Sequence, residues 1–318
     1  MKANKIIYFF DKFMYLNYFF LMIFMLLSVA FIVLYERKIL GYIHIRKSVN
    51  KVGFIGLIQP LGDGIKLLFK ESSLLEKSNI LLFLMAPLMN FFLVMLMYMV
   101  LPYSGNMDWF NLSILFFLVL LSMNVLSIIL IGWSSNSSYS FLSALRMVVQ
   151  MISYEISLMF LLLSIMVSVE SFSVLNLEMV QKYLWLVSCY MLLSVMIFVI
   201  FLAESNRVPF DFIEGESELV SGFNIEYGSG YFALIFVAEY LSILFMCYMM
   251  VIFFMIGNLL SFYFYLKLIF LIYLYVLVRG SFPRFRYDKL LLMAWKIFLP
   301  LTLCLFMFFM FIIILIKI

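Results

Sequence analysis

Residues 203–240 read AESNRVPFDFIEGESELVSGFNIEYGSGYFALIFVAEY, and they hold Glu204, Asp211, Glu214, Glu216, Glu218, Glu226 and Glu239, seven of the seventeen carboxylates in the chain. On one reading this is a solvated acidic turn between two apolar segments. The interleaving argues for more. Pro209 and Phe210 interrupt the acids, Glu214, Glu216 and Glu218 stand at every second position, and Leu219, Val220 and Phe223 follow without a solvent-exposed pattern. Such a stretch is expected to fold back against protein, where crowded carboxylates cannot all stay ionised. Proton handling is the chemistry that arrangement suits.

Around this stretch the chain is apolar: of 318 residues 67% are hydrophobic and 12% charged. That composition belongs to a polytopic membrane protein. The apolar run from about Phe13 to Leu34 shows no small-residue cleavage site and is expected to be a first membrane helix, with residues 1–12 a short N-terminal extension. Cys189, Cys247 and Cys304 are far apart within apolar segments, and His44 is the one histidine. An iron–sulfur cluster needs about four cysteines and a bis-histidine haem two histidines, so neither is expected on this chain. No catalytic residue and no metal ligand is expected either. Abundant Phe, Met, Tyr and Ile beside few alanines is the mark of an AT-rich coding bias, as in organelle genomes.

Apolar windows of roughly 17 to 25 residues give an all-α fold with eight transmembrane helices, near 13–35, 79–101, 112–132, 141–168, 183–203, 231–256, 262–279 and 294–316. One membrane domain, 1–318, is expected, with a first long loop at 36–78 and the acidic loop at 203–230. The odd-numbered loops and their edges carry fourteen Lys and Arg, eight of them between Arg37 and Lys77, against five on the other side. Both long loops are therefore expected on the inner side and both termini outside. From Ile58 to Phe69 apolar residues alternate with Asp63 and Lys66 in the manner of an amphipathic helix at the membrane surface.

Ionisable residues inside the spans are expensive and count as functional candidates. Lys267 and Lys296 lie near helix ends, where a lysine can snorkel to the interface. Glu155 lies nine residues after Arg146 and Glu239 eight residues into its span, which at ~1.5 Å per residue puts each about 12–13 Å deep from the same side. Gln150, Ser153, Tyr154 and Ser157 accompany Glu155 at spacings of three and four from Arg146. A hydrated half-channel running from the acidic loop into the membrane could be assembled from these parts.

The segments ERKILGY (36–42), GLIQPLGDGIKLLFKE (56–71), GWSSNS (132–137), ISYEISL (152–158), 203–227, FVAEY (236–240), PRFRYDKL (283–290) and WKIFLP (295–300) resemble, in order, the family of subunit 1 of mitochondrial NADH:ubiquinone oxidoreductase, respiratory complex I. The resemblance implies an eight-helix core subunit of a proton-translocating enzyme in the mitochondrial inner membrane, with both termini in the intermembrane space and the long loops in the matrix. It implies a quinone entry channel involving Glu36, Arg37, Arg46, Asp63, Phe210, Asp211, Phe212 and Arg284. It also implies a proton path of Glu204, Glu214, Glu216, Glu218, Glu226, Glu239 and Glu155, with Arg207 and Tyr154 beside it. Ubiquinone would be the substrate, while NADH, FMN and the iron–sulfur clusters would belong to partner subunits. The implied partners are the hydrophilic quinone-module subunits on the inner side, neighbouring membrane-arm subunits and lipids, with no nucleic acid. One departure stands out: His44-Ile45-Arg46-Lys47-Ser48-Val49-Asn50 replaces the family's Gln-x-Arg-Lys-Gly-Pro-Asn and loses the glycine and proline of that turn, while Arg46 and Asn50 remain.

Two other functions compete. A hydrogenase-like proton pump would use a similar membrane subunit without quinone, and the organelle-like composition disfavours it. A freestanding proton or cation transporter built on Glu155 and Glu239 would be expected to show an internal repeat with paired broken helices. No such repeat is visible.

Overall fold

A computed structural model describes residues 2–73, 76–102, 111–182, 184–212, 222–257 and 261–317. All the regular structure among them is helical. Seven helices there are long and apolar enough to cross a membrane, and an eighth apolar helix is shorter. The chain forms two compact units, Met1–Phe69 and Lys70–Ile318.

In the first unit α1 (Lys2–Ile43) is continuous, so Glu36, Arg37 and Lys38 ride on its last two turns instead of opening a loop. It ends where Arg46 N–H reaches the Gly41 carbonyl (2.9 Å) and Ile45 N–H the Tyr42 carbonyl (3.0 Å). This is the Schellman pattern, which wants glycine at the left-handed position. Here Ile45 occupies it at φ 54°. Downstream, Gly56 has φ +78°, and a Cβ there would overlap the Val49 carbonyl. Gly56 therefore lets the backbone pass close against Val49. α2 (Gln59–Phe69) follows and packs on α1. Its Leu61, Ile65 and Leu68, spaced for one face, are exposed, as expected of a helix lying on lipid.

The second unit is built around α9 (Ser229–Met255), the most buried of the candidate spans. Apart from Glu239, Ser229 and Ser242 its sequence is apolar on all sides, which suits a helix surrounded by others. α3 (Ile80–Met97), α6 (Val174–Gln181), α8 (Met191–Glu204) and α10 (Phe262–Ser281) pack against it. α4 (Ser113–Ser134) lies on α3, and α5 (Ser138–Val169) joins α4 to α8 and to the last helix, α12 (Leu299–Lys317). Tyr98 at the end of α3 donates a buried hydrogen bond to the Leu241 carbonyl of α9 (2.7 Å). Gly132 lets α4 and α5 touch, since a Cβ on it would collide with Ala144.

Two further spans differ from the sequence expectation in detail. The fifth is broken: α7 (Leu186–Cys189) and α8 meet at Tyr190 (φ −119°, ψ 44°). The fourteen residues of α8 rise only ~21 Å, short of the ~30 Å hydrocarbon core. The eighth begins earlier, with α11 (Tyr287–Leu292) running through a π-helical turn (Met293–Phe298) into α12. Pro300, which has no N–H to donate, follows that turn.

Candidate functional site

The last turn of α8 sets the geometry of the acidic stretch. Arg207 N–H bonds the Leu202 carbonyl and Asn206 N–H the Ala203 carbonyl, each at 3.3 Å, with Asn206 left-handed at φ 50°. This second Schellman cap uses asparagine, a residue that tolerates the conformation. It fixes Glu204 as the final helical residue and turns the chain sharply into Arg207. Phe210 N–H then closes a turn on the Arg207 carbonyl (2.8 Å), across a cis Val208–Pro209 peptide. Gln150 of α5, fully buried, holds both sides of the junction through one amide nitrogen, donating to the Ala203 carbonyl (2.9 Å) and the Phe210 carbonyl (3.1 Å).

Beyond the turn, residues 210–212 lie along residues 284–287. Phe210 stacks on Phe285 (5.7 Å, 16°), and Phe212 meets the edge of Tyr287 (5.9 Å). Arg284 Nη2 lies 3.4 Å from Asp211 Oδ2, with Asp211 buried. The Phe285 N–H donates to the Pro209 carbonyl (3.0 Å). Tyr154 lies against Phe210 and Phe298 at 6.2 and 6.0 Å, and Arg146 sits 5.8 Å above the Tyr287 ring.

On the other side of the junction a cavity of about 30 Å³ opens between α3, α4, α8 and α9. Glu204 and Glu239 line it together with Asn90, Asn124, Asn206 and Ser242. Glu204 is 4% exposed, and neither carboxylate oxygen has a hydrogen-bond partner among the described residues. The Asn206 side-chain oxygen is in the same position. Buried acceptors of this kind are normally satisfied by protein or ordered water. A water needs about 10–15 Å³ on this measure, so the cavity has room for about two.

Comparison with known proteins adds the context for this acidic cavity. A family model described as NADH dehydrogenase matches residues 16–310. The chain belongs to the NADH dehydrogenase family. It is 48% identical over 289 residues to "NADH-ubiquinone oxidoreductase chain 1" of Aedes aegypti, covering 91% of this chain and 92% of that protein. The protein of the same name from Locusta migratoria is 48% identical over 301 residues (94% and 96%), and that from Osphranter rufus 44% over 291 residues (89% and 92%).

Within this NADH dehydrogenase family member the expected residues fall into three groups. In the first unit Arg37 Nη1 pairs with Asp63 Oδ2 (2.8 Å), while Gln59 Nε2 donates to Asp63 Oδ1 (2.8 Å). Glu36 is buried and Arg46 exposed. In the second unit Phe210, Asp211, Phe212 and Arg284 form the aromatic and ionic seam described above. The carboxylates divide further. Glu204 and Glu239 share the cavity, and Glu155 is not among its lining residues. Arg207 is buried with its guanidinium 4.5 Å over the Tyr240 ring. Glu226 is half-buried, away from the cavity wall. Glu214, Glu216 and Glu218 lie outside the described residues.

Several supporting groups escaped the sequence reading. Tyr227 stacks on Phe83 (4.1 Å, 3°), and its hydroxyl shares a 2.9 Å hydrogen bond with Ser134. Burial pushes that hydroxyl up to about 12 against the opposing effect of Ser134, so it stays neutral. The link ties the end of the acidic stretch to the 132–137 turn, where Ser135 and Ser140 also bond one another. Asn90 and Asn124 were overlooked as well. Their signal was present, since an isolated asparagine in an apolar span is itself unusual. Lys267 donates to the Met255 carbonyl (2.7 Å) and lies 4.1 Å over Trp185. It caps the negative end of α9. Gln181 does the same, bonding the Ile252 and Phe253 carbonyls and the Ile256 N–H.

Proposed function

We propose that this chain is the membrane subunit of respiratory complex I that shapes the quinone path and connects quinone reduction to proton translocation. Glu204 carries the proposal. A fully buried carboxylate whose oxygens have no protein partner among the described residues, lining the same water-sized cavity as Glu239, is costly for folding and useful for holding and passing a proton. Glu155 extends that chain of acids on the α5 side. Glu214, Glu216, Glu218 and Glu226 are read as its continuation towards the inner surface, with Arg207 and Tyr154 as neighbours that tune it.

The quinone-facing groups are read as two surfaces. One is the Arg37–Asp63 pair with Glu36 and Arg46. The other is the seam of Phe210, Asp211, Phe212 and Arg284, whose rings offer flat apolar contact and whose ion pair is placed to polarise a carbonyl oxygen. Ubiquinone is the substrate in this reading. The chain itself carries no redox centre, because three dispersed cysteines and one histidine cannot supply a cluster or a haem. NADH, FMN and iron–sulfur chemistry therefore fall to hydrophilic partner subunits, which meet the inner-side loops. The location is the mitochondrial inner membrane, with both termini in the intermembrane space and the long loops in the matrix. The family match and the names of the relatives favour this over a freestanding transporter.

Glu239→Gln tests the proposal. Glutamine keeps the shape and hydrogen bonding of the residue but cannot accept the proton. In vesicles containing the normally assembled variant, quinone reduction and proton pumping should slow together, because a blocked proton step holds back the electron step that drives it. Unchanged turnover with unchanged pumping would remove Glu239 from the path.

A further inference from the structure

We infer that Asn90 of α3 and Asn124 of α4 are positioning residues that anchor the waters of the cavity between Glu204 and Glu239. The inference rests on the proton-path reading above. Both asparagines are buried in apolar helices and line the cavity. Ser127 lies 3.3 Å from one side-chain atom of each, and its single hydroxyl proton goes to the Asn124 backbone carbonyl at 2.7 Å. Each amide thus meets Ser127 through one side-chain atom, on a residue that lines the cavity. An asparagine amide has a donor end and an acceptor end, so whichever end faces the cavity can hold a water.

The rest of the wall offers mainly acceptors. The Ser205 and Ser242 hydroxyls donate to the Leu202 and Glu239 backbone carbonyls, and the Asn206 side-chain nitrogen lies 3.4 Å from the Glu204 carbonyl. Glu204 and the Asn206 side-chain oxygen contribute acceptors. A buried water needs two to four polar partners, and the asparagines bring the opposite wall up to that number. The relay conserves every atom: one carboxyl gives its proton to a water, that water passes one of its own protons on, and the second carboxylate receives it.

The test uses Asn90→Leu and Asn124→Leu in the assembled oxidoreductase, beside Asn→Ser at each position. Serine keeps a hydroxyl and leaves space for a further water. Leucine should lower kcat for quinone reduction about three- to tenfold, leave the quinone KM unchanged and raise the solvent deuterium isotope effect, while serine restores all three. Should leucine prevent assembly, Asn124→Ala against Asn124→Ser gives the same contrast. Equal loss in the apolar and serine variants would mean packing and would overturn the inference. So would unchanged kcat in the leucine variants while Glu239→Gln slows the enzyme, which would leave the proton path standing without these anchors. If Glu239→Gln has no effect, the path and its anchors fall together.

Discussion

Gln150→Leu removes the clamp between α5 and the α8 turn at nearly constant volume. The Gln150 amide donates to two buried carbonyls, those of Ala203 and Phe210. Both carbonyls keep a second donor, Asn206 N–H on Ala203 and Phe212 N–H on Phe210, so neither is left bare. The loss is then that of two ordinary hydrogen bonds, about 1–3 kcal/mol in total, and not the larger penalty of orphaned carbonyls. At 1.4 kcal/mol per factor of ten, a mid-range 2 kcal/mol corresponds to roughly a thirtyfold rise in the population with the 205–212 turn undocked. Amide hydrogen exchange on the assembled enzyme reads that directly, since local opening sets exchange in such segments. Exchange at Asn206, Arg207 and Phe210 should accelerate by about that factor, while amides in the middle of α9 should not change. Quinone reduction should fall with it, because Phe210 and Asp211 leave their seam. Exchange in 205–212 within twofold of the parent would show that the aromatic seam, and not Gln150, docks the turn.

Two further substitutions probe the first unit. Asp63→Asn replaces a carboxylate that accepts from Arg37 and Gln59; the pair is half-exposed and worth at most about 1 kcal/mol to folding. NADH-to-quinone electron flow should therefore drop while flow from NADH to a hydrophilic acceptor stays normal, and equal loss of both would indicate failed assembly. Ile45→Gly relieves a left-handed β-branched residue that is almost wholly exposed, and should slow tryptic cleavage after Arg46 and Lys47 by about two- to fivefold. Unchanged or faster cleavage would show that the φ of Ile45 costs nothing there.

What the sequence made legible was governed by local rules. Apolar run length placed the spans, and the amphipathic spacing of 58–69 placed α2 within a residue of Gln59–Phe69. The charges at Glu36–Lys38 looked like a helix end, yet nothing before Ile45 breaks the helix, and α1 runs on to Ile43. Charge marks where a helix can meet water and does not by itself stop the backbone. The break at Tyr190 had no glycine or proline to announce it. Gln150 fell on the expected polar face of α5, but its partners are 53 and 60 residues away, and only tertiary structure could name them.

The acidic stretch joins these two levels. Its composition led to the proton-handling proposal, but which acids meet depends on a backbone detail, the left-handed Asn206 that ends α8 and leaves Glu204 as its last residue. Had the helix continued, residues 205–208 would have carried on along the α8 axis, and Arg207 would not have turned back over Tyr240, the neighbour of Glu239. The cap therefore does two things at once: it ends a span too short to cross a membrane alone, and it holds a carboxylate at the cavity where α3, α4 and α9 converge. Asparagine at 206 accepts the left-handed φ and also lines the cavity with its side chain. Glycine would satisfy the backbone equally well and would remove that wall, so the turn and the acidic cavity share one residue for separate physical reasons.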